Sequence, residues 1–393
     1  FIVQRSRGVA LSMSMARASK DRPFEKEKFQ RFKLIEAFRK ALELQLLGRK
    51  PTSTESDPRR ELTLPRYFTL FLFGLFNPMI KSMRGLCEAS HFESVQKQLK
   101  CLPVSLGSFS AAQRLFDPEL LKGVFEELST GFKKNTNQQD PRLKDLQTTL
   151  HAVDGTLLKA LPRMAWALYQ DENNTAVKLH CKFELKNLKP AQIKLTEGKY
   201  CERKALKAMF SPGEFYIADR YYGGAYGYFD EIIEIGADFL IRIRNQPRSI
   251  RVLESFEINQ PATQVGVVKD CRIQLGDNLN PLRWVQVQVD GKVFNLITNR
   301  MDLDADLISH LYRQRWQIET FFKWFKCLMS SRHWFAESPE GVAIQVYLTL
   351  IASLLSMHAL GRAPNIRERE LLSFYIVGMA SLKELIRGLK IKR

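Results

Sequence analysis

The stretch LYRQRWQIETFFKWFKCLM, residues 311 to 329, decides how the rest of the chain is read. It sets Arg315, Glu319, Lys323 and Lys326 at offsets of 3, 7, 11 and 14 from Tyr312. At about 100° per residue in an α-helix, all five side chains point within roughly 60° of one direction. One acid therefore stands inside a row of cations. A carboxylate that only solubilised a helix has no need of guanidinium and ammonium groups in register with it. One that holds a divalent ion beside a phosphodiester does. The plain alternative is a surface pair of Glu319 with Lys323 at i+4, worth a few tenths of a kcal/mol. The upstream sequence must therefore supply the partner acids.

It offers two. TTLHAV reads as a strand running into Asp154 within HAVDGT, and FYIAD as a buried strand ending at Asp219 within FYIADRYYGG. TAVKLHCKFEL and QIKLTEG are further β segments, CERKALKAMF and YFDEIIEIG are helical, and DFLIRIR is another strand. Three antiparallel-looking strands followed by α/β alternation predict an α/β fold: a ribonuclease-H-like mixed sheet flanked by helices, with both aspartates at or near strand ends. Alone, Asp154 before Gly155 reads equally as a turn residue, and Asp219 before Arg220 as an ion pair or turn cap. From Asn245 to Arg300 the pattern is wholly β, and WVQVQVDGKVFNLIT is a hairpin turning at Asp290-Gly291.

The pattern Y-x(2)-R-x(3)-E-x(6)-K, carried by Tyr312, Arg315, Glu319 and Lys326, resembles the YREK signature of bacterial DDE transposases of the insertion-sequence-4 type. HAVDGT and FYIADRYYGG resemble that family's first and second catalytic positions, and the resemblance runs from about Leu146 to about Leu360. It implies a catalytic triad of Asp154, Asp219 and Glu319 holding two Mg²⁺ ions, with Mn²⁺ able to substitute. Asp154 would bridge the ions, Asp219 would serve one and Glu319 the other. Phosphodiester transfer builds negative charge on both the attacking and the leaving oxygen, and two ions about 4 Å apart stabilise both. Arg315 would clamp a phosphate with its planar fork, Lys326 and Lys323 would act as point charges, and Tyr312 would contact the backbone. Lys323 lies outside the signature. Some family members extrude a base while forming DNA hairpins, and Trp284 in the β segment is the candidate for stacking on it. Trp316 is expected to pack inward with Phe322, and His151 and His180 to be structural.

The family reading implies cut-and-paste movement. Insertion-sequence ends are cleaved and joined to target DNA by a homodimer that bridges two terminal inverted repeats, in the bacterial cytoplasm at the nucleoid. Its rivals are a structure-specific nuclease on the same fold, an inactive or truncated transposase-derived DNA-binding protein, and a membrane-surface protein. A net charge of +18 on 393 residues calls for a polyanion. The cations are spread along the chain rather than gathered beside a spanning helix, which favours DNA over a membrane. The apolar tract from Val342 is broken by Gln345, Ser353, Ser356 and His358 and reads as a buried helix. Six cysteines without metal-binding spacing are those of a reducing compartment. The first residues lack a signal-peptide core and an initiating Met, as a fragment or truncated reading frame would.

Six segments are expected. Residues 1–132 form a helical region that binds DNA ends, and 133–145 a polar linker. Residues 146–245 form the first part of the catalytic core, 246–300 a β insertion, 301–362 the second part with the YREK helix, and 363–393 a basic helical tail. Within the first, 24–47 reads as an amphipathic helix and Tyr67 to Phe76 as a core helix. Ser90 with Glu93 and Ser110 with Gln113 read as capping boxes. Both a DNA-recognition helix beginning at Ala111 and two ordinary packed helices fit that pattern.

Overall fold

The structure, a computed structural model, describes residues 33–389 apart from 78, 132–145, 147, 162, 168, 170–174, 245–248, 331–333, 361–363 and 377–378. The expected linker and the first turns of the helix over 24–47 lie outside the described residues. Among the described residues six helices come first: α1 (Lys33–Leu46), α2 (Leu64–Phe76), α3 (Met83–Ala89), α4 (Glu93–Leu99), α5 (Leu106–Leu115) and α6 (Glu119–Gly131). A mixed α/β region follows, with β1 (Thr149–Lys159), β2 (Ala176–Glu184), β3 (Lys189–Glu197), α7 (Glu202–Lys207), β4 (Glu214–Ala218), α8 (Gly227–Glu234) and β5 (Asp238–Ile243). Then come β6 (Ile250–Ser255), α9 (Gln260–Gln264), β7 (Val267–Leu275), β8 (Leu282–Val289) and β9 (Lys292–Thr298). Five helices close the chain: α10 (Ala305–Gln314), α11 (Trp316–Ser330), α12 (Pro339–Leu360), α13 (Ile366–Ile376) and α14 (Leu382–Gly388).

Among the described residues nine strands form one sheet in the order β3-β2-β1-β4-β5-β9-β8-β7-β6. β1, β2 and β3 are antiparallel neighbours, while β1, β4 and β5 run parallel. This is the ribonuclease-H-like arrangement. The β-rich segment continues the same sheet, because β9 pairs antiparallel with β5 and β8, β7 and β6 follow outward. Its hairpin turns at Asp290 and Gly291, both at positive φ (50° and 71°), the geometry of the two-residue turn that Asp-Gly favours.

Alternation along the strands assigns the two faces of the sheet. Leu150, Ala152, Phe215, Ile217 and Leu240 join one core with the N-terminal helices and α10 to α12. Val153, Tyr216, Ala218, Phe239 and Ile241 join a second core with α7 and α8. The tract from Val342 is α12, long and apolar enough to cross a membrane by length and composition, yet largely buried in the protein. Three of its interior polar atoms are paired: Gln345 Oε1 accepts from Phe335 N, and the Thr349 and Ser353 hydroxyls donate one turn back to the carbonyls of Gln345 and Thr349.

Neither expected capping box forms. α4 starts after Phe92, and Ser90 ends α3, its hydroxyl accepting from Val104 N and donating to Cys87 O. α5 is capped by Ser105, whose hydroxyl accepts from Ser108 N at 3.1 Å, so Ala111 lies mid-helix and begins nothing. A serine buried in a crossing between helices satisfies its own hydrogen bonds first, and local spacing does not reveal that burial.

Burial makes β2 a strand of polar residues under cover. On the α7 face Lys178 pairs with Glu202 at 3.2 Å, Lys182 with Glu214 at 2.9 Å, and His180 Nε2 meets Thr196 Oγ1 at 2.9 Å. Desolvation pushes His180 down to about 3 and His151 down to about 4, from an ordinary 6.5. Both folded-state values are depressed, so these residues cost nothing above pH 6.5. The unfolded chain binds the extra protons as pH falls from 6.5 towards 4 and 3, and stability is lost across that window. The urea midpoint should fall through it, and His151→Gln should flatten the fall by on the order of 3 kcal/mol. An unchanged acid limb in that variant would refute the assignment.

Candidate active site

The parallel pairing of β1 with β4 ends at Val153 opposite Ala218, and that of β4 with β5 at Ala218 opposite Ile241. Asp154, Asp219 and Arg242 are the next residues on three adjacent strands, and alternation turns all three towards α10 and α11. Asp219 lies just beyond its strand, as expected. Its carboxylate accepts from Tyr221 N at 2.8 Å, which fixes the turn into the Tyr-Tyr-Gly-Gly segment. Asp154 does not end its strand: β1 continues to Lys159 in antiparallel pairing with β2. It marks the place where the parallel neighbour stops, and sequence periodicity cannot distinguish that from a strand end.

Asp154 is half-buried, and its carboxyl is pushed up to about 7, by desolvation first and by the neighbouring Asp219 second. Gly155 N, donating to Asp154 Oδ1 at 2.8 Å, and the Arg315 guanidinium work in the opposite direction. The site therefore holds two carboxyls whose charges oppose each other in a desolvated corner, which a bound cation would relieve.

The stretch over 311–329 is not one uninterrupted helix. α10 ends at Gln314 and α11 starts at Trp316. Arg315 keeps helical angles (φ −51°, ψ −32°), but the hydrogen bonds around it span three residues, from Arg315 N to Tyr312 O and from Ile318 N to Arg315 O. Such tightening rotates one segment against the other, so the single face expected from uniform winding is divided. Tyr312 belongs to α10 and packs on Phe294 (ring centroids 6.4 Å apart). Arg315 is 5.8 Å over the Tyr312 ring and bonds Glu319 Oε1 at 2.5 Å. Lys326 is exposed; desolvation lowers its ammonium and Asp154 acts against that, which puts the two within electrostatic reach. Lys323 is exposed too, but its ammonium is spent over the Trp316 ring at 4.8 Å.

Two expectations about tryptophan reverse. Trp284 is 0% exposed; its indole N–H donates to Asn295 Oδ1 at 3.1 Å, and Lys269 covers the ring at 4.4 Å. With neither edge nor face open, it is a core residue and no platform for a base. Trp316 is 53% exposed rather than packed inward on Phe322. Within α11 it lies about 120° around the helix from Phe322 and about 20° from Lys323, so it shares the exposed cationic face.

Carboxylates on neighbouring elements suit a hard divalent cation. Asp154 and Asp219 fit such an ion by placement and mutual repulsion. Glu319 is engaged by Arg315, and among the described residues no three His, Cys, Asp or Glu side chains converge closely enough to hold a metal. Glu319 would join the pair only by leaving the guanidinium.

An acidic pair where adjacent parallel strands of a ribonuclease-H-like sheet part, faced by a helix carrying Arg, Glu and Lys, defines a class of polynucleotide-processing proteins. Comparison with known proteins narrows it. The family model described as the transposase DDE domain matches residues 146–355. The chain belongs to the DDE transposase family. It is 25% identical over 314 residues to a probable transposase for an insertion-sequence element of Geobacillus stearothermophilus, covering 76% of this chain and 77% of that one. A putative insertion-sequence transposase of Synechocystis sp. is 22% identical over 265 residues, 64% of this chain and 71% of the relative. A solved piggyBac transposase synaptic complex with hairpin DNA is similar over 93% of this chain and 81% of that one, at 12% identity and a TM-score of 0.45.

Proposed function

We propose that the chain cleaves DNA at the ends of its insertion sequence and joins the freed 3′ ends to target DNA by a metal-dependent, cut-and-paste reaction. The observation that carries this reading is the placement of Asp154 and Asp219 side by side under α11, with the Asp154 carboxyl pushed up by desolvation first and by that neighbour second. Asp154, Asp219 and Glu319 are the residues that would hold Mg²⁺, or Mn²⁺ in its place. Two such ions would stabilise the charge developing on the attacking and leaving oxygens.

The protein's own groups do the rest. Arg315 presents a guanidinium to the phosphodiester, and taking up that phosphate releases Glu319 towards the aspartates. Lys326 adds a point charge near Asp154, and Tyr312 supports Arg315 from below. Lys323 and Trp316 form an exposed cation-capped ring beside this clamp, and Trp316 rather than Trp284 is the indole open to a base. The N-terminal helices would hold the terminal inverted repeats, and two copies would bridge the two ends. The segment boundaries at 132, 145, 245, 300 and 362 belong to the same proposal, with the β segment from 246 to 300 as an outward extension of the catalytic sheet.

A labelled duplex bearing the element's own end tests this. Wild type should nick it at the boundary with Mg²⁺ and not with EDTA. Glu319→Ala should bind the end as tightly as wild type and not nick it; cleavage retained by that variant would remove Glu319 from the site.

A further inference from the structure

Arg242 is the third member of the row that contains Asp154 and Asp219, and no established role accounts for it. It stands on β5 opposite Leu296 of β9, and its guanidinium lies 4.5 Å over the ring of Phe294. Phe294 in turn packs on Tyr312, whose ring carries Arg315. Two guanidiniums thus rest on the two rings of one aromatic pair, from opposite sides in the sequence of the core. Each has a buried Nε with no hydrogen-bond partner. Arg315 at least has Glu319; among the described residues Arg242 has no carboxylate within salt-bridge distance.

A planar cation placed beside two acids, held by a ring rather than by a counter-charge and with a buried donor unsatisfied, is a site awaiting an anion. Burying that Nε without an acceptor is unfavourable, and an anion accepting from the same guanidinium would offset that cost. A phosphodiester oxygen supplies the planar two-point acceptor that a guanidinium fork takes. We propose that Arg242 binds a backbone phosphate of the DNA strand lying in the active site, and forms with Arg315 a two-guanidinium cradle on the Phe294–Tyr312 platform. This rests on the reading of the site as a DNA-cleaving one and adds to it the residue that holds the strand on the β5 side.

The test separates DNA contact from chemistry. Binding of a fluorescein-labelled 30-base-pair duplex would be measured in EDTA, where no nicking occurs, over a tenfold range of salt, for wild type, Arg242→Gln, Arg242→Lys and Phe294→Leu. Each phosphate contact adds about 0.9 to the slope of log affinity against log salt. Arg242→Gln should lower the slope by about that much, so that the loss of affinity over the range shrinks roughly eightfold. Arg242→Lys should keep the slope and bind more weakly at every salt concentration, as a point charge replaces a fork, and Phe294→Leu should fall between the two. Melting temperatures identify any variant that fails to fold, and the Lys variant preserves the comparison in that event. A slope unchanged in Arg242→Gln, whatever its affinity, would overturn the proposal and leave Arg242 as a packing residue for Phe294. A wild type that binds no duplex would overturn it as well. A wild type that fails to nick in Mg²⁺, with slopes as expected, would instead count against the cleavage reading and leave the cradle standing.

Discussion

Asp154→Asn is expected to abolish nicking and, in the same protein, to raise the melting temperature. Removing one group that stabilises developing charge costs about 10² to 10³ in rate, and a carboxylate that would hold the metal should cost no less. The gain in stability follows from the sign of the shift. The folded-state value of Asp154, about 7, lies above the ordinary 3.8. Its contribution to stability is therefore fully present below pH 3.8 and is lost as pH rises through 7. Asparagine removes the charge that the fold resists, so the variant should melt several degrees above wild type at pH 8 in EDTA and close to it at pH 4. Adding Mn²⁺ at pH 8 should raise the wild-type melting temperature and leave the variant nearly still. A variant less stable than wild type at pH 8 without metal would show that the carboxylate is structural.

Arg283→Met should be among the most destabilising single changes in the protein. Arg283 forks onto Asp270 with bonds of 2.8 and 2.6 Å, and the two side chains are 6% and 2% exposed. The same guanidinium donates to the carbonyls of Met301 and Leu303, on the segment that leads into α10. Breaking a buried pair from one side strands the other charge, at a cost of about 3–5 kcal/mol. The double change Arg283→Met with Asp270→Leu should recover most of that loss, because it removes the stranded charge as well. Urea unfolding of wild type and the two variants measures this, and a double variant no better than the single one would place the energy in the carbonyl contacts to residues 301 and 303 instead.

The strands of the core were legible because each reads either as a short apolar run, as FYIAD does, or as an alternating one, as TAVKLHCKFEL does. The Asp-Gly turn of the hairpin was legible because few residues accept two successive positive φ angles. The aspartates could be picked out only through their shared company with Glu319, since either alone has the signature of a turn. What stayed hidden depends on packing that local sequence does not encode. Ser90 looks like a cap until Val104, in the loop between α4 and α5, is brought to it. Trp284 looks like a wedge until Asn295 and Lys269 enclose it. Arg242 looks like an alternating strand cation until the register of three parallel strands sets it beside Asp219. The tight turn at Arg315 is hidden for a related reason: residues 311 to 329 favour helix throughout, and only packing on Phe294 and pairing with Glu319 draw the break.

The order of strands across the sheet also governs how the chain can assemble. β6, β7, β8 and β9 are consecutive in the chain and adjacent in space, so each pairing in that meander closes a short loop and can form early. Among the described residues the β5–β9 ladder is the strand pairing that joins the meander to the first five strands, and it requires the ends of a long excursion to meet. The outer strands are thus a locally assembled unit that docks through one strand seam, reinforced where Asn278 and Leu279 bond Asp230 of α8. Phe294 crosses that seam from β9 to lie under Arg242 of β5. The ring that supports the cradle exists in its working position only after docking, so a chain synthesised without the meander, or with the seam open, has its aspartates but lacks the surface on which the cations rest.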